Sequence, residues 1–337
     1  MSDASRLPRR RFGALLARWG AAAWAVGGAP GAEAASAAAG FPERPITLVV
    51  PFAPGGIADL TARAVAESMA RTLGQPVVVD NRPSAGSIVA SQLVAAARPD
   101  GHTLLLMSNS HALSVSLFRK LPVDPLRDFA PISTLGSFDL GVFSPPGSRW
   151  GSLRDALAMA RAQPGKLTLG TIAVGSTQHL AAKWLETLAG VDALVVPYKG
   201  TPAVLTALRA GEIDLAVEIL GPMLPHLRGG AVKALAVSSQ RRHPLLPEVP
   251  TAQEQGVDGW VVASWNALAA PAGTSPAVID ALNRAVRAAL ASPEVVQRLG
   301  PLGLRPMPGS PIEMRALLES EIRRWGQVIR EARIEAE

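Results

Sequence analysis

The sequence predicts an α/β fold in two lobes with a ligand cleft between them, on three observations. Strand-length apolar runs alternate with amphipathic segments of helix length from Phe41 onward. The rhythm pauses over residues 120–148, where two apolar runs follow each other with no helix between, and resumes at Ser152. At 337 residues, 48% of them apolar, the chain can also fill about two cores at ~150 residues each.

In the first unit the expected strands are Ile46–Phe52, Pro76–Asn81 and Thr103–Ser108. Helical patterns follow at Ile57–Leu73, Ala85–Ala97 and about Ala112–Phe118. The order βαβαβ implies a parallel sheet with right-handed crossovers. The second unit opens with a helix from Ser152 to about Gln163. Strands are expected at Leu167–Ile172, Ala193–Tyr198, Asp214–Leu220 and Val232–Ser238. Helices fit between them at Thr177–Leu188, Pro202–Ala210 and Pro222–Arg228. A proline-rich loop (241–256) and an apolar run (260–271) lead to helices near Ser275–Ala291, Pro293–Leu299 and Pro311–Glu331. In open α/β sheets ligands bind beyond the carboxyl ends of strands, so two such units facing each other make a cleft.

Residues 1–39 read as an export signal rather than as fold. A basic start, an Ala/Gly-rich middle and small residues at the end follow the order of n-region, h-region and cleavage site, with cleavage between Ala34 and Ala39. Arg9-Arg10-Arg11-Phe12 fits the R-R-x-F core of a twin-arginine signal and also the charged start of an ordinary secretory one. The charge-free stretch from Trp19 to Ala32 is too short to span a bilayer and is interrupted by Gly and Pro. The expected location is the periplasm. Residues 1–40 hold five Arg against two acids, which leaves 28 basic and 25 acidic residues, a net charge of +3 rather than +6. With its Lys and Arg scattered and aromatics few, the chain does not read as a nucleic-acid binder. Absence of cysteine removes disulfides, thiolate nucleophiles and Cys-ligated metals.

Two βα turns are candidate sites. In "PFAPGGIAD" (51–59), Gly55 and Gly56 permit close approach, and the helix that starts at Ile57 offers free N–H groups. The turn lacks the lysine of a nucleotide cradle, so it is either a plain tight turn with Asp59 in the first helical turn or an anion site. Gly175-Ser176-Thr177 repeats the logic, as an N-cap or as a ligand contact. "MSNSHAL" (107–113) and "VPYKGTPAV" (196–204) are further polar strand-end loops. Glu218 falls near the end of an apolar strand, as a paired structural acid or as a cleft residue that shapes selectivity. The five histidines have no metal spacing, and neither a G-x-S-x-G elbow nor an S-x-x-K pair occurs. His179, just inside a helix, reads as a packing or capping residue rather than a base.

Taken in order, "FPERPITLVVPFAPGGIADLTAR", "VVVDNRPSAG", "RPDGHTLLLMS", "DPLRDFAPIS", "VGSTQHLAAKWLETLAGVDALVVPYKGTPAVLTALRAGEIDL" and "LAAPAGTSPAVIDALN" resemble the extracytoplasmic receptors of tripartite tricarboxylate transporters, the Bug family. The likeness runs from Phe41 to the C-terminal helix. It implies a periplasmic binding protein of type II-like fold, with domain 1 formed by 40–138 and 261–337, domain 2 by 139–260, and two chain crossovers. It implies a non-enzymatic, monomeric receptor without cofactor or metal, which delivers a small organic acid to a membrane permease. The same pocket would serve a receptor for a sensor kinase or, less in keeping with the family, an exported enzyme acting on a carboxylate. Carried over by position, the ligand contacts would be Gly55, Gly56 and Ile57; Ser108, Asn109 and Ser110; Ser176 and Thr177; and Lys199, Gly200 and Thr201. Glu218 joins them, and Asp59 would order the first turn. The chain departs from the family at Glu218-Ile219, at Ser84-Ala85-Gly86-Ser87 and at Asn266, which follows Trp265.

Overall fold

The structure, a computed structural model, describes residues 40–336, so the expected export signal lies outside the described residues. Among the described residues ten strands form one curled sheet, in the order Val77–Asn81, Ile46–Val50, Thr103–Ser108, Ala263–Pro271, Phe129–Ser144, Leu215–Ile219, Leu167–Ile172 and Ala193–Tyr198, with Lys233–Val237 and Arg305–Pro306 also paired to Phe129–Ser144.

The first lobe is built as its pattern predicts. β1 (Ile46–Val50) lies parallel to β2 (Val77–Asn81) and β3 (Thr103–Ser108). Its β-branched residues suit a strand covered on both faces. The crossovers are α1 (Ile57–Leu73) and α2 (Ile88–Ala95), and α3 (Asn109–Leu117) follows β3. Two starts differ from expectation. A kinked turn at Ala85–Ser87 precedes α2, with Ser87 at φ 62. α3 begins three residues early because Ser108 and His111 form a reciprocal cap around its first turn.

The two apolar runs at the pause are one strand, β4 (Phe129–Ser144). Its first part, Phe129–Asp139, pairs antiparallel with β9 (Ala263–Pro271), and its second part with β7 (Leu215–Ile219) and β8 (Lys233–Val237). The strand runs on through Gly136, Ser137 and Asp139, with register irregularities between Pro131 and Gly136, so one strand serves both lobes and is the first crossover. The second lobe continues with α4 (Leu153–Ala162), β5 (Leu167–Ile172), α5 (Thr177–Ala189), β6 (Ala193–Tyr198), α6 (Thr201–Ala210) and α7 (Leu220–Arg228). The chain returns beside the first crossover, where the Val262 N–H donates to Ser238 O and the Ser238 hydroxyl donates to Val262 O.

The return strand β9 seats against β3, and α8 (Pro276–Ala291), α9 (Pro293–Leu299) and α10 (Pro311–Glu331) cover the first lobe. Each starts at a serine N-cap followed by proline, the pairing that suits a first turn. No helix among the described residues is long and apolar enough to cross a membrane.

One short strand, β10 (Arg305–Pro306), has no signal in the sequence pattern. It brings Arg305 to Asp139, where β4 passes between lobes. The guanidinium donates twice to that carboxylate, at 3.0 and 2.7 Å, and Asp139 is buried. Arg305→Ala strands a buried carboxylate, but the arginine is half exposed, so the cost is expected to be about 1–2 kcal/mol. A thermal melt should fall by roughly 2–3 °C; an unchanged melting temperature refutes the role.

Candidate functional site

The carboxyl ends of β1, β3, β5, β6 and β7 point toward the space between the lobes, and a helix starts at or soon after each. The N-termini of α1, α3, α5, α6 and α7 therefore converge on one cavity. Its first-lobe wall is Phe52, Gly56, Ile57, Ala58 and Ser108. Opposite stand Ile172, Thr177, Gln178, Thr201 and Ile219, and the return crossover supplies Ser264 and Asn266. No lining side chain carries a formal charge. Each helix start presents N–H groups without intrahelical partners and a positive dipole end, so the cavity favours an anion without a cationic side chain.

The P-G-G turn is braced from behind. Gly55 N–H donates to Asp59 Oδ2 at 3.0 Å, with Gly55 at φ 86, a conformation that suits glycine. Asn81 ties Asp59 Oδ1 to Phe52 O, and Arg63 pairs with the same carboxylate. Burial would raise the Asp59 carboxyl, but Arg63, the Gly55 amide and Asn81 outweigh it and hold it below the usual range. The N-cap of α1, Gly56, makes no side-chain cap, which leaves the first amides of that helix facing the cavity.

Ser108 lines the cavity, whereas its two neighbours hold the framework. Asn109 accepts from Trp265 N and donates to Ala263 O. The Ser110 hydroxyl donates across the cleft to Gly175 O at 2.9 Å. Gly86 N–H donates likewise to Val174 O at 3.1 Å, so two loops of the first lobe already grip the second. His111 Nδ1 accepts from Ser108 N–H, and burial keeps the imidazole neutral, lowered to about 4.

In the second lobe the Ser176 hydroxyl accepts from His179 N–H at 3.1 Å and caps α5. It is not on the cavity wall; Thr177 is, with its hydroxyl 3.4 Å from that of Ser264. Gly200 is buried and Thr201 lines the cavity, while Lys199 is exposed at the rim, beside a second recess of about 20 Å³. Glu218 is fully buried and does not line the cavity. Gln178 stands in front of it and donates to Oε2 at 3.1 Å, as does the Ile219 N–H at 3.0 Å, and Oε1 has no hydrogen-bond partner among the described residues. Burial pushes this carboxyl up to about 7, against the opposing pull of Gln178, the Ile219 amide and the nearby Thr201 hydroxyl.

Gln178 and Ser264 were not among the expected contacts, and Asn266 was marked only as a departure from the family; all three line the cavity. The signal for the last two was available: they alternate in "ASWNALAAP", so both fall on one face of β9 while Trp265 points into the core behind. The cavity is narrow, about 30 Å³, room for roughly two or three waters. A larger groove of about 560 Å³ lies between residues 227–235 and 245–250, but the cavity-facing helix starts are not part of it. Among the described residues no three His, Asp or Glu are placed to hold a metal ion.

The profile of the family described as tripartite tricarboxylate transporter family receptor matches residues 61–334. The protein BugT of Bordetella pertussis is 37% identical over 86% of this chain and 90% of its own length. MatC from Rhodopseudomonas palustris, solved with bound malate, is 36% identical, with a TM-score of 0.82 over 86% of this chain and all of its own. Rpa4515 of the same organism, solved with adipate, is 34% identical, with a TM-score of 0.84 over 88% of this chain and all of its own.

Proposed function

The chain belongs to the tripartite tricarboxylate transporter receptor family, solute-binding proteins of the periplasmic type, and from that premise we propose that it captures a small organic acid between its lobes and delivers it to a tripartite-type membrane permease. The observation that carries this reading is the convergence of five helix N-termini on a cavity that no charged side chain lines. A carboxylate placed there gains N–H donors and dipole stabilisation from both lobes at once. Relatives solved with malate and adipate support the same ligand class.

On this reading Gly56, Ile57, Ser108, Thr177, Gln178 and Thr201 face the ligand. Gly55, Asp59, Asn109, Ser110, Ser176 and Gly200 shape the loops that do so, and Glu218 acts through Gln178. The rigid bodies are 40–138 with 261–337, and 139–260, and residues 1–39 are removed on export. Contacts from both lobes exist only when the lobes meet, so ligand shifts an open–closed equilibrium toward the closed form. An acid larger than the narrow cavity holds the lobes slightly further apart.

The test is a thermal-shift screen of mono-, di- and tricarboxylates on the exported form. A bound acid at a hundredfold excess over Kd should stabilise the protein by about 2.7 kcal/mol. Thr177→Val keeps shape and removes a hydroxyl, so it should diminish that shift by more than the small loss it causes in the unliganded melt, where only the 3.4 Å contact with Ser264 is given up. Ser176 is unsuitable for this purpose, because losing its cap costs about 1 kcal/mol of stability whatever it binds. No shift with any acid, or turnover of one, defeats the proposal.

A further inference from the structure

Asn266 presents a hydrogen-bond acceptor to the cavity that an acid's carboxylate does not satisfy. It sits on β9 between Ser108 of β3 and Gly136 of β4, 1% exposed, and lines the cavity. Its Nδ2 donates to Trp265 O at 3.1 Å, which determines the amide's orientation. Turned over, two carbonyl oxygens would face each other at that distance. The outward atom is therefore Oδ1, and it has no partner among the described residues. A buried acceptor left without a donor costs about 1–3 kcal/mol. A carboxylate is acceptor-only and makes that worse.

We infer that Asn266 is a specificity-determining residue whose Oδ1 accepts from a hydroxyl on the ligand, so the cleft prefers a short hydroxy-substituted carboxylate to its deoxy counterpart. This rests on the carboxylate-receptor reading above and adds to it the group that the second half of the pocket reads. Five helix N-termini surround the cavity with positive dipole ends, which disfavour an ammonium there. Of the two buried acids beside the cavity, Glu218 stands behind Gln178 with one oxygen already engaged, and Asp59 is held by the Gly55 amide, Asn81 and Arg63. A neutral O–H supplies the missing donor without adding a charge.

Calorimetric titration of malate against succinate, and of lactate against propionate, tests this in the wild type and in Asn266→Leu. The wild type is expected to bind at least one hydroxy acid roughly tenfold more tightly than its deoxy partner. In Asn266→Leu that ratio should collapse toward one, through loss of the hydroxy acid's affinity, with the deoxy acid still bound. Asn266→Ala, which cannot overpack, should collapse it equally. Equal affinities in the wild type, or a ratio that survives both substitutions, overturns the inference alone. Aspartate binding more tightly than malate overturns the hydroxyl assignment. Failure of every acid to bind defeats the carboxylate reading itself, and this inference with it.

Discussion

Gly175→Ala is expected to weaken ligand binding by roughly 10- to 100-fold while leaving both lobes folded. Gly175 has φ +77, and a Cβ added there would stand 3.1 Å from Gly86 Cα and 3.2 Å from its nitrogen, backbone atoms of the opposite lobe. The substitution therefore has two costs. The left-handed conformation costs an alanine about 1–2 kcal/mol in every folded state. The clash with Gly86 is felt only when the lobes meet, and overpacking of this kind costs about 1–3 kcal/mol. Only the second cost enters the binding constant, and each ~1.4 kcal/mol of it is tenfold.

Gly190→Ala separates the two. Gly190 ends the same helix at φ +61, with nothing within 4 Å of an added Cβ. It should lose stability and keep affinity. If Gly175→Ala binds an acid as tightly as Gly190→Ala does, the contact between the Gly86 and Gly175 loops has no part in closure.

The second large effect concerns Glu218 and pH. Its carboxyl titrates near 7 in the folded protein against an ordinary value of 4.5. A raised acid means that the folded state holds a proton the unfolded chain has released, so its contribution is most favourable below 4.5 and is lost as pH rises toward 7. At ~1.36 kcal/mol per unit the loss is about 3 kcal/mol. His111 and His179 act in the opposite sense. Burial lowers both to about 4, so their contribution is full above 6.5 and is lost as pH falls through 4. The raw wild-type profile sums opposing slopes, and the difference from Glu218→Gln isolates the one of interest.

Glu218→Gln keeps an oxygen for the Gln178 and Ile219 donors and cannot ionise. Denaturant unfolding at pH 5 and pH 8 should show it close to wild type at the lower pH and more stable by up to about 3 kcal/mol at the higher. The same substitution should tighten binding of an anionic acid at pH 8, because a negative charge behind Gln178 is removed. A constant stability difference between pH 5 and 8 rules out the raised titration.

Much of the framework was legible because helix and strand periodicity are local. Ile57–Leu73, Leu167–Ile172 and Ala193–Tyr198 appear with the limits the pattern implies. The pause at 120–148 pointed to a change in organisation. That its two apolar runs form one strand shared by both lobes depends on partners distant in sequence, β9 on one part and β7 and β8 on the other. The P-G-G turn and the Gly-Ser-Thr turn were recognisable as helix starts for the same local reason. Their division of labour was not: Ser176 looks like a ligand hydroxyl until His179 N–H is found on it.

Glu218 marks the boundary most clearly. Its place near the end of an apolar strand, and hence a carboxylate in apolar surroundings, follows from residue order alone. Whether it would meet a ligand depended on what α5 places in front of it, and Gln178 occupies that position. Asn266 reached the same cavity because β9 lies between β3 and β4, a pairing across more than a hundred residues. Periodicity and capping are written over a few neighbouring residues and can be read from them. Which side chains share a cavity is a property of strand order, set by the burial of whole faces against one another.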